Sequence, residues 1–170
     1  STVHLYEVVD FKNPLEKCKQ LPAALLEDLE PKLEKLVTYP EDLILPVECI
    51  DGSVGFSRLV GITAFLIADH MGMVDQEKHD ILEAGYLTEI GKTIVPENVL
   101  NRNGGLTEDD FTHIHMHPRE GVRKLRNAGY ENEKMLELIE CHHENFDGSG
   151  YPAGIRDENI PVGARILAVA

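Results

Sequence analysis

The chain has 170 residues and a net charge of −14, from 30 acidic residues against 16 lysines and arginines. A surface of that sign repels phosphate backbones and excludes bulk nucleic-acid binding, while the length suffices for one ordinary domain with its own core and room for a small appendage. Cys18, Cys49 and Cys141 form no CxxC pair, and this odd, sparse count excludes a disulfide scaffold and fits a reduced, cytoplasmic setting. Residues 1–50 read as a separate N-terminal helical module or connector, because Leu26, Leu29, Leu33 and Leu36 recur at helical spacing. Pro31 lies inside that stripe and breaks it, which excludes a long coiled coil. Pro40, Pro46 and an Asp51-Gly52 turn separate this module from a main domain over residues 51–170. Ser57 is placed to cap a helix running to about His70, apolar nearly all round and therefore expected to be central and buried. Its most apolar stretch, Leu59 to Ala68, is too short to span a bilayer, and no signal peptide is visible.

Asp75 begins the next helix, which runs through Ile81, Leu82, Leu87 and Ile90 and stops at Gly91. Thr107 caps another, with Asp110 at the reciprocal position of a capping box. Pro118 interrupts that helix, a short one follows to about Asn127, and Glu131 or Asn132 opens the helix that ends at His142-His143. No segment alternates strictly, so the main domain is expected to be all-α. Ala164 to Ala170 reads as the opening of a buried helix whose apolar run stops in mid-turn, and the natural polypeptide is expected to continue past it.

The chemistry concentrates in His142-His143-Glu144-Asn145-Phe146-Asp147-Gly148-Ser149-Gly150-Tyr151-Pro152. Neutral imidazole is the commonest metal ligand. Neighbouring side chains on a helix point about 100° apart, so adjacent histidines suit separate ions of a cluster better than one shared ion. The competing explanation is a helix C-terminus where histidine favours the dipole, but the whole run favours a site. In the loop, Gly150 is expected at positive φ, Pro152 fixes the turn, Tyr151 projects a ring with a polar tip and Asp147 braces the chain. His113 and His117, four apart, could share a helix face, yet no cysteine or HExxH glutamate supports a zinc pair there. His115 is expected to point elsewhere into solvent, and His4, His70 and His79 to be surface residues. Cys141 is read as a buried structural thiol rather than a ligand.

Taken in order, Ile90-Gly91-Lys92, Pro96, Leu106-Thr107, His117-Pro118, His142-His143-Glu144, Gly150-Tyr151-Pro152, Pro161 and Ala164-Arg165-Ile166 resemble the HD-GYP family, bacterial phosphodiesterases that cleave cyclic di-GMP with two or three metal ions. The resemblance covers residues 50–170 and implies an all-α helical bundle of the HD-domain type. It also implies a ligand set: a Glu and a His four apart on an early helix, the His-Asp dyad, a lone His before Pro, the His-His pair and a late Asp. In this chain the early positions fall at Gly52 and Phe56, which cannot ligate through their side chains. The dyad falls at Thr88-Glu89, where the longer Glu89 carries its carboxylate outward by roughly an ångström. His117 is the lone histidine, His142 and His143 are the pair, and the late Asp position lies past Ala170. Lys92 matches a family lysine near the substrate phosphate, where a cation stabilises developing charge; the competing explanation is a helix-end lysine on the dipole. Arg165 is expected in a structural ion pair. The Gly-Tyr-Pro loop borders the nucleotide pocket in the family and is implicated in contacts with diguanylate cyclase (GGDEF) domains.

These positions leave no intact binuclear cluster. They allow one divalent ion, Fe, Mn, Ni or Zn, on Glu89, His117, His142 and His143, with a metal-free histidine set as the rival. Lys92 is the catalytic candidate, and Lys92, Gly150 and Tyr151 are the residues expected to touch a nucleotide. The function expected is that of a degenerate HD-GYP domain in cyclic di-GMP signalling, binding the dinucleotide, a GGDEF-type domain or another partner, with little or no phosphodiesterase activity. The alternative is an active metal-dependent cyclic di-GMP phosphodiesterase with an atypical site, and a third reading is a helical scaffold whose histidines are relics.

Overall fold

The computed structural model describes residues 40–101 and 104–170. The leucine stripe, Pro31, His4 and Cys18 lie outside them. Helix α1, Glu41–Asp51, starts after Pro40 with Glu41 and Asp42 in its first turn, where carboxylates face the unpaired N–H groups. It carries Pro46 inside and ends at Gly52 in the left-handed conformation, φ 74°. Pro46, expected as a separator, is thus part of a helix that belongs to the compact unit of residues 40–170.

Helix α2, Phe56–His70, is capped differently from the sequence expectation. Ser57 does not cap it. Instead Glu48, 1% exposed near the end of α1, accepts hydrogen bonds from the N–H groups of Gly55 (2.7 Å) and Ser57 (2.9 Å). A carboxylate there pairs with both the orphan donors and the positive end of the helix. Glu48→Ala should therefore destabilise the fold by about 1–3 kcal/mol, the cost of stripping a charged acceptor from buried donors. Urea denaturation measures this, and an unchanged midpoint would remove Glu48 from the stabilising contacts. The helix is also less enclosed than its composition suggested. Val60, Ala64, Phe65 and Ala68 are buried, but Phe56 and Leu59 are half exposed.

Helix α3, Asp75–Leu87, packs along α2 and buries Ile81, Leu82, Ala84, Tyr86 and Leu87. It does not continue to Ile90 as an α-helix. The chain tightens into a 3-10 segment, Thr88–Ile94, and then passes through the single turn of α4, Glu97–Leu100. Helix α5, Glu108–His115, shows the expected reciprocal cap: Asp110 N–H donates to Thr107 Oγ1 (3.2 Å), and Thr107 N–H donates to Asp110 Oδ2 (2.8 Å). Helix α6, His117–Asn127, takes Pro118 in its first turn, where no backbone donor is required. Asn132 caps α7, Glu133–Cys141, by accepting from Met135 N–H (3.3 Å), and α8 spans Val162–Val169.

The fold is all-α, with no strand among the described residues. Its core is built from Ile44, Ile81, Leu87, Leu125, Met135, Leu136, Ile139 and Ile160, each 2% exposed or less. No helix among the described residues is long and apolar enough to cross a membrane.

Candidate metal centre

Three elements bring a donor set to one point. The 3-10 segment supplies Glu89, the first residue of α6 supplies His117, and the end of α7 supplies His142 and His143. One ligand atom from each of these four lies within 4.8 Å of the others, and no other such group of three or more occurs among the described residues. Gly91 makes the approach of α6 to the 3-10 segment feasible, since a Cβ there would collide with the His117 carbonyl and the Gly121 amide.

The two buried imidazoles are oriented by their backbone. His117 Nδ1 lies 2.8 Å from the Ile114 carbonyl, and His142 Nδ1 lies 2.6 Å from the Ile139 carbonyl. A carbonyl only accepts, so each Nδ1 carries its hydrogen and each Nε2 faces inward. The two Nε2 atoms are 3.4 Å apart and stand 3.8 and 3.6 Å from Glu89 Oε1. The other Glu89 oxygen is paired with the Lys92 ammonium. The carboxylate is thus divided: Oε2 on Lys92, Oε1 on the histidines.

Electrostatics favour the ligating forms. Burial opposes ionisation of Glu89, but His142, Lys92 and His117 outweigh it and hold the carboxyl well below the usual range. Burial pushes His117 down to about 4 against the pull of Glu89. Burial, reinforced by His142 and His117, pushes His143 down to about 3. An ionised Glu89 beside uncharged His117 and His143, with the Nε2 atoms of His117 and His142 turned inward, is a donor set for a borderline divalent cation, and the four residues fit one ion. Cys141 stays outside: burial, with Glu137 and Glu140, raises its thiol to about 11, so no thiolate is available near neutral pH.

Glu89, His142, His143, Asn145 and Tyr151 line a cavity of about 360 Å³. Its apolar lining comes from Phe56, Val60, Leu167, Ala168 and Ala170. Thr88 lines the cavity as well, with its hydroxyl turned to the Gly85 carbonyl (3.4 Å). Another cavity, of about 290 Å³, carries Glu77, Asp80, Lys134 and Glu137 but gathers no comparable ligand group.

The loop after α7 is pinned to the site. Glu144, 4% exposed, accepts at Oε1 from the N–H groups of Ala153 (2.7 Å) and Gly154 (3.1 Å), and Tyr151 N–H donates to the His143 carbonyl (3.1 Å). Asp147 braces the loop by accepting from Ser149 N–H (2.9 Å). Gly150 is not at positive φ; Gly148 and Gly154 are. Gly150 is needed for space, because a Cβ would strike the Asn145 amide and the His143 carbonyl. The Tyr151-Pro152 peptide is cis.

His113 is exposed, with Nδ1 on the Asp109 carbonyl (2.7 Å), and stands outside the four-residue donor group. His70 and His79 are exposed as expected, with the His79 ring edge-on to Phe65. Two other expectations fall differently. His115 is exposed but not simply solvated, for it stacks on Tyr151. The buried Nε of Arg165 has no hydrogen-bond partner among the described residues, where an ion pair was expected. Sequence reasoning missed Glu48 and His115, whose partners depend on the fold and carry no spacing signal.

The sequence pattern of the HD domain matches residues 23–170. The chain belongs to the HD domain family. Over 120 residues this HD domain is 38% identical to the cyclic di-GMP phosphodiesterase response regulator RpfG of Xanthomonas campestris pv. campestris (strain 8004), covering 70% of this chain and 32% of that protein. It is 36% identical over 115 residues to a cyclic di-GMP phosphodiesterase of Thermotoga maritima, covering 65% and 30% respectively. It is 30% identical over 105 residues to the 3'3'-cGAMP-specific phosphodiesterase 2 of Vibrio cholerae serotype O1, covering 61% and 20%. The match thus takes in a third or less of the length of each of these relatives. Two of these three are cyclic di-GMP phosphodiesterases, the activity of the HD-GYP family that the motifs resemble.

Proposed function

We propose that this HD domain works in cyclic di-GMP signalling as a binding or regulatory module carrying one divalent ion, with little or no phosphodiesterase activity. The observation that supports this is the convergence of four donors, within 4.8 Å of one another, beside a cavity that Phe56 also lines. Phe56 stands where the resemblance calls for an early histidine, and its ring cannot ligate; metal affinity needs ligand count and geometry together. When bound, a divalent ion would polarise a phosphate oxygen and lower the pKa of a bound water.

The chain's own residues account for the rest. Lys92 places a cation beside Glu89, and with the ion it would offset the −14 net charge for an anionic nucleotide. In the active alternative Lys92 is the residue that would stabilise charge on the phosphate. Gly150 lets the loop close on His143. Tyr151 offers a nucleotide its hydroxyl edge rather than a stacking face, because both faces of its ring are covered by His115 and His143. Phe146 on the same loop is 57% exposed and presents an apolar side chain to a protein partner, for which the resemblance suggests a GGDEF-type domain.

The test is metal analysis on protein prepared without chelator, run beside a cyclic di-GMP hydrolysis assay and calorimetry with the same nucleotide. Expected are one ion per chain, nucleotide binding, and no hydrolysis above the free-metal background. Two tightly held ions per chain, with turnover lost in His142→Ala, would establish the phosphodiesterase instead.

A further inference from the structure

We propose that His115 is a positioning residue for the metal centre, clamping Tyr151 against His143 and so holding the His143 ring on the point it shares with Glu89, His117 and His142. The inference rests on the metal-binding reading above and deepens it.

His143 is the least anchored of the three imidazoles. The rings of His117 and His142 are each tied through Nδ1 to a backbone carbonyl. No hydrogen bond of the His143 ring occurs among the described residues. Its direction must come from packing. It meets His142 (4.0 Å between centroids) and, edge-on, His117 (5.0 Å). It stacks on Tyr151, with centroids 4.7 Å apart and planes 28° apart, and Tyr151 also meets the His117 ring edge-on at 6.3 Å. The far face of Tyr151 stacks on His115 at 4.0 Å and 19°.

The two stacks make Tyr151 a wedge gripped from both sides, within the separations that aromatic pairs prefer. His115 closes the grip from outside. It is the last residue of α5, and Phe111, one turn back, lies 5.9 Å from it. His115 is exposed and has no part in the core. Its ring area, not its nitrogens, makes the contact, so another flat aromatic should serve. Ligand orientation by neighbours that do not touch the ion is a general route to metal affinity.

The experiment is a Co(II) titration of the whole chain, followed by the visible absorption bands, for wild type, His115→Ala and His115→Phe. Thermal unfolding of each metal-free protein runs alongside. His115→Ala should weaken Co(II) binding by about 10- to 100-fold, the range seen when a supporting neighbour of a ligand is removed, and alter the bands. Its metal-free unfolding temperature should stay at the wild-type value, and His115→Phe should recover wild-type affinity. Wild-type affinity in His115→Ala would overturn the clamp. So would failure of His115→Phe to restore binding, or a loss of metal-free stability in step with affinity. A wild-type protein that takes up no Co(II) at all would instead overturn the metal-binding reading, and the clamp with it.

Discussion

Replacing His117 with alanine should lower affinity for Zn(II) or Co(II) by on the order of 100-fold or more, since even loss of a ligand's supporting neighbour costs up to about that factor. His117 is 1% exposed, its Nε2 faces that of His142 at 3.4 Å, and its Nδ1 is already committed to Ile114. Neither nearby imidazole among the described residues replaces it, because His113 and His115 lie on α5 with exposed side chains. The remaining donors would be Glu89, His142 and His143, with Glu89 still drawn to Lys92. Competition titration with a chromophoric chelator gives the constant directly, and circular dichroism confirms that the helices persist. Undiminished binding in His117→Ala would place the ion somewhere other than this cluster.

Gly91→Ala should destabilise the domain by about 3 kcal/mol, at the upper end of the range for overpacking, and abolish metal binding as a consequence. The atoms a methyl group would meet are the His117 carbonyl and the Gly121 amide, both backbone, so no side chain can rotate aside. Relief requires α6 to move off the 3-10 segment. That movement carries His117 away from Glu89, since His117 opens the helix that must shift. Urea denaturation should show a midpoint lower by about 1 M or more, given slopes of about 1–3 kcal/mol per molar for domains of this class. A Gly91→Ala protein of wild-type stability would mean that the two segments do not touch as described. The glycine after Ile90 thus matters to the site through distance alone, without contributing any donor.

How much of this was visible in the sequence follows from the range of each interaction. Thr107 and Asp110 are three residues apart, and their reciprocal cap was predicted and is present. Asn132 and Pro118 likewise act within their own helical turns. Ser57 failed as a cap because the helix starts before it, at Phe56 after Gly55, and Glu48 reaches across from α1 to the N–H groups of Gly55 and Ser57. Gly150 carried a correct signal with a different cause, steric space rather than backbone sign. The all-α class was legible because it is a sum of many such local preferences.

The linear chain was enough for the inventory: which residues can ligate, and the order of motifs that marks an HD domain. Only the tertiary structure decided that Glu89, His117, His142 and His143 meet, that Lys92 takes one carboxylate oxygen, and that His115 grips Tyr151. Glu89 and His142 lie 53 positions apart, and His115 and Tyr151 36 (142 minus 89, 151 minus 115). At those separations no periodicity links the partners. Their contact is set by how the core of α3, α6 and α7 packs, because burial of apolar surface fixes where the backbones run and the polar side chains follow.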